Sequence, residues 1–325
     1  MNDPGAHPAI PDRTITIVMY HYVRDLARSR FPEIKGLTTD HFERQLRYLR
    51  MHHTPIRMED LLSAVMEDSP LPANACLLTF DDGYIDHFLT VFPLLDRYGV
   101  QGSFFPTVRT VRESRVLDAN KIHFILAAVN DKRRIVSRLF AALDDLRRDL
   151  PLEGNEELFG RYAIAGRFDS AEIVFVKRVL QKHLPESVRS MIIDRLFSEF
   201  VSREEKAFAR ELYMDLDQIR CMRRHGMFFG GHGAGHYWMD SLSPPEQERE
   251  VEASLELLAD IGVEPDRRVF CYPYGGYNRS LVDILRGRGF RLALTADPEI
   301  ASLDIHDPLA LPRLDTNDLP GRPAA

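Results

Sequence analysis

Short apolar runs alternate with amphipathic segments along most of the chain. Between the runs, apolar residues recur at helical spacing, as at 39–51 and between Ser243 and Gly262. Strands that alternate with helices indicate a parallel sheet, and short strands of this kind covered by helices favour a barrel. Six runs predict buried strands, at 15–20, 76–80, 102–106, 227–230, 268–272 and 291–295.

The stretch 110–214 has a different pattern. It is rich in apolar residues at helical spacing, interleaved with Arg, Asp and Glu, and it almost lacks strand signals. We therefore predict an α/β fold in which a discontinuous barrel, 12–109 and 215–318, is interrupted by this helical insertion. The insertion could be a substrate lid, a dimerisation surface that makes an oligomer, or structural padding. Flexible tails are expected at 1–11 and 319–325.

Composition narrows the class of protein. The 325 residues carry 42 Lys and Arg against 49 Asp and Glu, a net charge of −7, which argues against a nucleic-acid partner. The longest apolar run, 124–129, is far too short to span a bilayer, which needs about 20 residues. Three scattered cysteines fit reduced thiols, and the first residues lack the pattern of a secretory signal. We expect a cytoplasmic protein without a transmembrane segment.

Three polar clusters follow predicted strands, where barrel active sites are built. The first, Asp81-Asp82-Gly83, places two carboxylates side by side, which favours a nearby cation or a shared proton. In the second, His232 and His236 are four residues apart, so that on a helical turn they would converge as in zinc-binding H-E-x-x-H. The third cluster, 271–278, interleaves aromatics with Pro and Gly and would suit the wall of a polar groove. Taken alone, the first cluster favours an ordinary turn at the end of a strand. The second fits a chance surface pair of histidines, and the third a turn anchored by core tyrosines, as well as they fit a functional site.

Taken together, the clusters indicate metal-assisted hydrolysis. One carboxylate and two imidazoles make the three-ligand set of a catalytic zinc site, which leaves a position for water. The other aspartate would then act beside that water as a general base. The sequence contains no G-x-S-x-G elbow and no cysteine in a recognisable catalytic context.

The sequence TFDDGY, then HGAGH, then CYPYG resembles the ordered motifs of the polysaccharide deacetylases (carbohydrate esterase family 4, with a NodB-like domain). The resemblance covers 12–109 and 215–318. It implies a distorted (β/α) barrel that hydrolyses the N-acetyl group of an amino sugar. It further implies a divalent metal, Zn²⁺ first and Co²⁺, Ni²⁺ or Mn²⁺ as alternatives. The roles it implies are metal binding by Asp82, His232 and His236, general base catalysis by Asp81, and oxyanion binding by the backbone N–H of Tyr274.

Three positions depart from the motifs of the family. Gly233 replaces the Ser or Thr after the first metal histidine, and Cys271 replaces the arginine that orients the base. Arg313 is our candidate for that missing arginine, steadied by Asp315, unless it is an ordinary surface ion-pair partner. For the general acid, a histidine in this family, we favour His21 over His306, although His21 could also be a core histidine.

The preference for His21 rests on a second resemblance, to the permuted poly-N-acetylglucosamine deacetylases, which carry their acid histidine in an N-terminal Tyr-His segment. Relatives without a signal peptide suggest a surface polysaccharide of O-antigen or capsule type, or its precursor, as substrate. Tyr272, Tyr277 and Trp238 could contact the sugar. The alternatives are a deformylase, a cyclic-amide hydrolase, or an inactive carbohydrate-binding homologue.

Overall fold

The computed structural model describes residues 13–166 and 169–319 and divides into two compact units. Within the described residues, the first unit comprises 13–23, 37–112 and 213–319, and the second comprises 24–36 and 113–212. The segment 24–36, which we had expected in the barrel, therefore belongs to the second unit. The expected flexible tails lie outside the described residues except for Leu319, which is buried in a hydrophobic cluster.

All six predicted strands are present, with boundaries within two residues of the prediction. Their continuous apolar runs are typical of strands buried on both faces. The nine strands of the described residues are β1 Thr14–Tyr20, β2 Thr54–Pro55, β3 Ala75–Asp82, β4 Gly102–Pro106, β5 Phe228–Phe229, β6 Val269–Cys271, β7 Leu292–Leu294, β8 Ala301–Ser302 and β9 Leu314–Asp315.

The strands of the first unit close into a ring. Strands β1, β3, β4 and β5 pair in parallel in that order, and a parallel bridge between Gly231 and Phe270 leads on to β6. Strand β6 pairs with β7, a bridge joins Leu294 to Leu311, and β9 returns to β1. The short strand β8 runs antiparallel to the start of β1. The predicted distorted (β/α) barrel is confirmed.

Helices cover the strands and make up the second unit. The helix Pro244–Ile261 has the predicted ends, a capping box between Ser243 and Glu246 and a left-handed Gly262 at φ 85°. In the described part of 113–212, the regular elements are helices, as the sequence predicted. The α-helices are α1 Thr39–His52, α2 Met58–Met66, α3 Phe92–Tyr98, α4 Val108–Arg112, α5 Asp118–Ala128, α6 Lys132–Leu146, α7 Asn155–Tyr162, α8 Ala171–Arg178, α9 Glu186–Phe200, α10 Glu205–Leu212, α11 Leu216–Arg224, α12 Pro244–Ile261 and α13 Arg279–Gly287. Among the described residues, no helix has the length and apolar character that a membrane span requires.

The alternation of side chains along β3 decides which of its residues face the inside of the barrel. Leu77 belongs to a cluster that draws buried residues from seven strands and therefore fills the barrel. Leu78 and Phe80 belong to another cluster, shared with α1, α3 and α11. Since successive side chains of a strand point to opposite faces, Asp81 continues the inner series at the carboxyl end of the strand.

Candidate active site

Two adjacent buried carboxylates end strand β3. Asp81 and Asp82 are 2% and 3% exposed, and the strand pairs them with Phe105 and Pro106 of β4. Asp82 lies in the left-handed region at φ 70°, which a non-glycine residue adopts uncommonly. This turn of the backbone directs the two neighbouring carboxylates to different partners.

Asp81 is bound by an arginine from the end of the chain. The Arg313 guanidinium donates two parallel hydrogen bonds to the carboxylate, at 3.0 and 2.8 Å. The guanidinium also donates to the Thr79 hydroxyl at 3.0 Å and to the Thr295 carbonyl at 2.7 Å, and the whole side chain is 1% exposed. Although burial opposes it, Arg313 lowers the pKa of Asp81, so this carboxylate is ionised at neutral pH.

Arg313 thus contacts Asp81, the carboxylate that the missing motif arginine was expected to orient. Its support comes from the Thr295 carbonyl, whereas we had expected Asp315 to steady it. Asp315 instead accepts a hydrogen bond from the backbone N–H of Asn317. Cys271, at the motif position of that arginine, directs its thiol to Asp81 Oδ2 at 3.4 Å.

Asp82 faces two imidazoles. The distance from its Oδ1 is 3.5 Å to Nε2 of His232 and 3.3 Å to Nε2 of His236, and one ligand atom from each of the three residues lies within 4.8 Å of the others. The other carboxylate oxygen, Oδ2, accepts a hydrogen bond from the Tyr84 hydroxyl at 2.5 Å. The three residues assigned to the metal are therefore together in the fold.

The donor set fits a divalent cation. Nδ1 of His232 lies 2.7 Å from the Cys271 carbonyl, which can only accept, so in the neutral ring Nε2 carries the lone pair. Although burial opposes it, Cys271 and Asp82 raise the pKa of His232 well above its usual value. In the metal-free protein a proton on Nε2 can therefore lie between this ring and the Asp82 oxygen, in the place that a divalent cation would take. Burial lowers the pKa of His236 to about 4, which keeps this ring neutral, as a metal ligand must be.

A second group of possible ligands shares one histidine with the first. Ligand atoms of Asp81, His232 and Cys271 also lie within 4.8 Å of one another. However, the Asp81 carboxylate already holds the Arg313 guanidinium, and burial raises the pKa of the Cys271 thiol, which disfavours the thiolate that would bind a metal. The Asp82 group is therefore the better cation site.

The loop that carries the two histidines is not helical, and our expectation of a helical turn was wrong. Residues 232–236 form no helix, and His236 has a φ of 57°. Two backbone N–H groups of this loop, those of Ala234 and Gly235, donate to the Glu250 side chain of another element and not to carbonyls of a helical turn. Nothing in the sequence pattern singles out Glu250.

His21 directly follows β1 and so emerges beside the end of β3. The register pairs Tyr20 with Phe80, and the charge of His21 helps to lower the pKa of both Asp81 and Asp82. Its backbone carbonyl accepts a hydrogen bond from Nε2 of His87, a buried ring whose pKa burial lowers to about 4. His306, the less favoured candidate, contacts Ser302 and Glu299.

The predicted aromatic residues fall into two groups. Tyr274, at φ 56°, packs its ring on that of His236 at 4.6 Å and stacks in parallel on Trp238 at 4.6 Å. Tyr277 is 38% exposed and stacks on Tyr272. Tyr272 itself is 1% exposed and donates its hydroxyl to the Leu309 carbonyl, so it is a core residue that a substrate cannot contact.

Comparison with known proteins points to one family. Residues 198–293, which include both histidines and the segment around Tyr274, match the polysaccharide deacetylase family. A segment of 90 residues, 27% of this chain, is 31% identical to the poly-β-1,6-N-acetyl-D-glucosamine N-deacetylase of Escherichia coli (strain K12). Another of 99 residues, 30% of the chain, is 24% identical to YxkH of Bacillus subtilis (strain 168). These matches cover only 13% and 35% of the two relatives.

Solved structures match over nearly the whole chain. The Streptococcus pyogenes deacetylase PplD, solved in complex with acetate, has a TM-score of 0.56 at 17% identity, and the alignment covers 94% of this chain and 92% of that one. IcaB from Ammonifex degensii has a TM-score of 0.55 at 18% identity, with 94% and 93% covered. At this low sequence identity, the similarity shows that this chain shares the fold of these proteins.

Proposed function

Because this chain is a relative of the polysaccharide deacetylases, we propose that it is a metal-dependent hydrolase that removes an N-acetyl group from an amino sugar. One observation carries the proposal. The ligand group Asp82, His232 and His236 lies directly beside Asp81, a carboxylate that Arg313 keeps ionised. A metal site next to an ionised base is the arrangement that amide hydrolysis by an activated water requires.

Asp82, His232 and His236 would hold the metal, with Zn²⁺ preferred for its His and Asp ligands and Co²⁺, Ni²⁺ or Mn²⁺ as alternatives. When bound, the ion supplies Lewis acidity, which polarises the acetamide carbonyl and lowers the pKa of water. The remaining steps fall to the protein. Asp81 takes the proton of the attacking water, and the Arg313 fork keeps the carboxylate oriented for that transfer.

Two further residues complete the proposed reaction. The backbone N–H of Tyr274 would stabilise the oxyanion that forms as water adds to the carbonyl carbon. His21 would donate a proton to the departing nitrogen as the C–N bond breaks. The products are acetate and a free amino sugar. Both roles are carried over from the family resemblance, and they are supported by the contact of the Tyr274 ring with His236 and by the position of His21 directly after β1.

For the substrate, we propose an amino sugar of a surface polysaccharide of O-antigen or capsule type, or its precursor. The parallel rings of Trp238 and Tyr274, and the half-exposed ring of Tyr277, offer apolar faces on which a sugar could stack. A cytoplasmic location belongs to the same proposal, supported by three cysteines that form no disulfide. An oligomer formed through the helical unit stays a prediction.

The test is acetate release by the zinc-loaded protein from β-1,6-linked N-acetylglucosamine oligomers and from a nucleotide-linked N-acetylated amino sugar, with free amine measured in parallel. The proposal expects acetate and amine in equal amounts from at least one of them. An N-formyl sugar and a cyclic amide serve as rival substrates. Exclusive turnover of either rival would replace the proposal, and sugar binding without any turnover would identify an inactive homologue.

A further inference from the structure

The loop between the two histidines, residues 232–236, is held from two sides. On one side, the backbone N–H groups at the start of α4 donate to its carbonyls, from Val108 to Gly233 at 3.3 Å and from Arg109 to Ala234 at 3.0 Å. These bonds fix the carbonyls of the loop. They leave its N–H groups to be satisfied from elsewhere, because a buried donor without an acceptor is costly.

On the other side lies Glu250, in the middle of α12. A single carboxylate oxygen, Oε2, accepts hydrogen bonds from the backbone N–H of Ala234 at 2.7 Å and of Gly235 at 2.8 Å. The carboxylate is mostly shielded from solvent, and this burial raises the pKa of Glu250 although both amides oppose the rise. A glutamate in such surroundings is bound to the loop and is not a solvated surface charge.

Gly233 explains how the carboxylate comes so close. Gly233 has a φ of 73°, and a Cβ there would lie 3.2 Å from Glu250 Oε2. The chain therefore lacks the side chain at position 233 that would compete with Glu250 for this space. In the family that the sequence resembles, a Ser or Thr occupies this position. Here the oxygen that supports the loop arrives from a helix.

We propose that Glu250 is a positioning residue for the metal site: it fixes the backbone between His232 and His236 and thereby sets the spacing of their Nε2 atoms. This inference rests on the proposed metal site but not on the identity of the substrate. Metal ligands that are held in advance bind more tightly, because less conformational freedom is lost when the ion enters.

Three variants separate the hydrogen bonds of Glu250 from its charge. Glu250→Ala removes both, Glu250→Gln keeps an oxygen that can reach both amides without the charge, and Glu250→Asp keeps the charge but is one methylene too short. Glu248→Ala, an exposed glutamate of the same helix, is the matched control. All four are made in the full chain and compared with the wild type.

The first measurement is hydrogen exchange of the peptide that contains Ala234 and Gly235, in the metal-free protein. The second is the zinc dissociation constant, by competition with a chromophoric chelator. We expect Glu250→Ala and Glu250→Asp to exchange faster and to bind zinc about 10- to 100-fold more weakly. Glu250→Gln and Glu248→Ala should match the wild type in both.

Unchanged exchange and zinc affinity in Glu250→Ala would overturn the inference. So would a loss in Glu250→Gln together with wild-type behaviour in Glu250→Asp, since charge alone would then be responsible. If Glu250→Ala does not fold, the contrast between the Gln and Asp variants still decides. The exchange measurement needs no metal and no substrate, so a protein that fails to release acetate would refute the proposed function without touching this result.

Discussion

The two carboxylates that end β3 are neighbours in sequence, yet their surroundings differ in charge. Asp81 meets a cation that the protein itself supplies, the buried Arg313 guanidinium. Asp82 meets two imidazoles, of which His236 is neutral because burial lowers its pKa to about 4.

Burying an ion is tolerated when it is paired. Asp81 is paired with a permanent charge, whereas Asp82 contacts the Tyr84 hydroxyl and His232, whose pKa Cys271 and Asp82 raise against the effect of burial. A divalent cation could take the place of the proton on His232.

This contrast assigns different chemistry to adjacent residues of one strand. Under the proposed function, the carboxylate that is paired with Arg313 stays off the metal and accepts a proton, and the other binds the metal. Asp82 has a left-handed backbone at φ 70°, and its carboxylate lies near His232 and His236, whereas that of Asp81 is bound to Arg313. The contrast between the two carboxylates can be tested by removing the proposed metal ligands near Asp82 or by removing the guanidinium near Asp81.

The largest loss of activity is expected from replacing the two histidines that face Asp82. His232→Ala or His236→Ala should abolish zinc binding at about micromolar zinc and reduce acetate release to background, because two ligands no longer make a catalytic site. Metal content of the purified variants and acetate assays measure both effects. Full activity in a zinc-free variant would break the contrast from this side.

On the Asp81 side, Asp81→Asn should reduce kcat by about 10²- to 10⁴-fold, the usual contribution of a general base. Zinc content should be unchanged, since Asp81 is bound to Arg313 and not to the metal ligands. Kinetics and metal analysis on the same preparation provide the check. Loss of zinc in Asp81→Asn would show that both carboxylates serve the metal and that the contrast is false.

A smaller effect is expected at the end of β1. His21→Ala should reduce kcat by about 10²-fold, the lower limit for a general acid, and leave zinc affinity unchanged. The matched control is His306→Ala, because that histidine bonds to Ser302 and Glu299. Equal losses in the two variants, or none in His21→Ala, would remove His21 from the proposed mechanism.

Arg313→Lys tests how much the pairing of Asp81 with Arg313 contributes to the stability of the fold. A lysine keeps the positive charge but cannot bond at once to both Asp81 oxygens, Thr79 and Thr295. We expect a decrease of about 1–3 kcal/mol in the free energy of unfolding, the cost of buried polar groups left without partners. Chemical denaturation of both proteins measures it, and an unchanged unfolding free energy would mean that the fork contributes nothing.

The same pair predicts how stability depends on pH. Because Arg313 lowers the pKa of Asp81 in the folded protein, the stabilisation is complete above the pKa of an unfolded Asp, about 4. It is lost as the pH falls below that value towards the lowered pKa. The unfolding free energy of the wild type should therefore fall more steeply between about pH 4 and pH 2 than that of Asp81→Asn, which lacks the titrating carboxyl group. Parallel curves would contradict this.

The smallest change in activity is expected from replacing Cys271. Its thiol is a weak donor and contacts Asp81 at 3.4 Å, whereas the guanidinium carries the charge. Cys271→Ala should therefore change kcat by less than any variant above, measured in the same acetate assay. A loss comparable to that of Asp81→Asn would mean that the thiol, and not Arg313 alone, controls the base.

Local patterns predicted much of the fold, because apolar runs and helix caps act over a few residues. The strands around both carboxylates and the ends of α12 are examples. Patterns could not show that residues 24–36 pack with the helical unit, since that depends on contacts distant in sequence. Nor could they tell that Tyr272 points into the core, because one residue of register decides which face a strand side chain occupies.

Candidate site residues could be predicted where they lie close together in the sequence, as Asp81 and Asp82 do and as the two histidines do. Arg313 could be proposed from the sequence only because the motif lacks its arginine, so that another arginine was needed near the base. Glu250 could not be predicted from the sequence, because several glutamates lie along α12 and only the fold shows which one contacts the loop. Residues that position ligands from another element leave no signal in a single sequence.

The measurement that tests the central claim most directly is a crystal structure of the zinc-loaded protein with anomalous data at the zinc edge. We predict one zinc peak about 2.0–2.2 Å from an Asp82 oxygen and from both Nε2 atoms of His232 and His236, with Asp81 still bound to Arg313. A peak among Asp81, His232 and Cys271, or no peak near Asp82, would contradict the account.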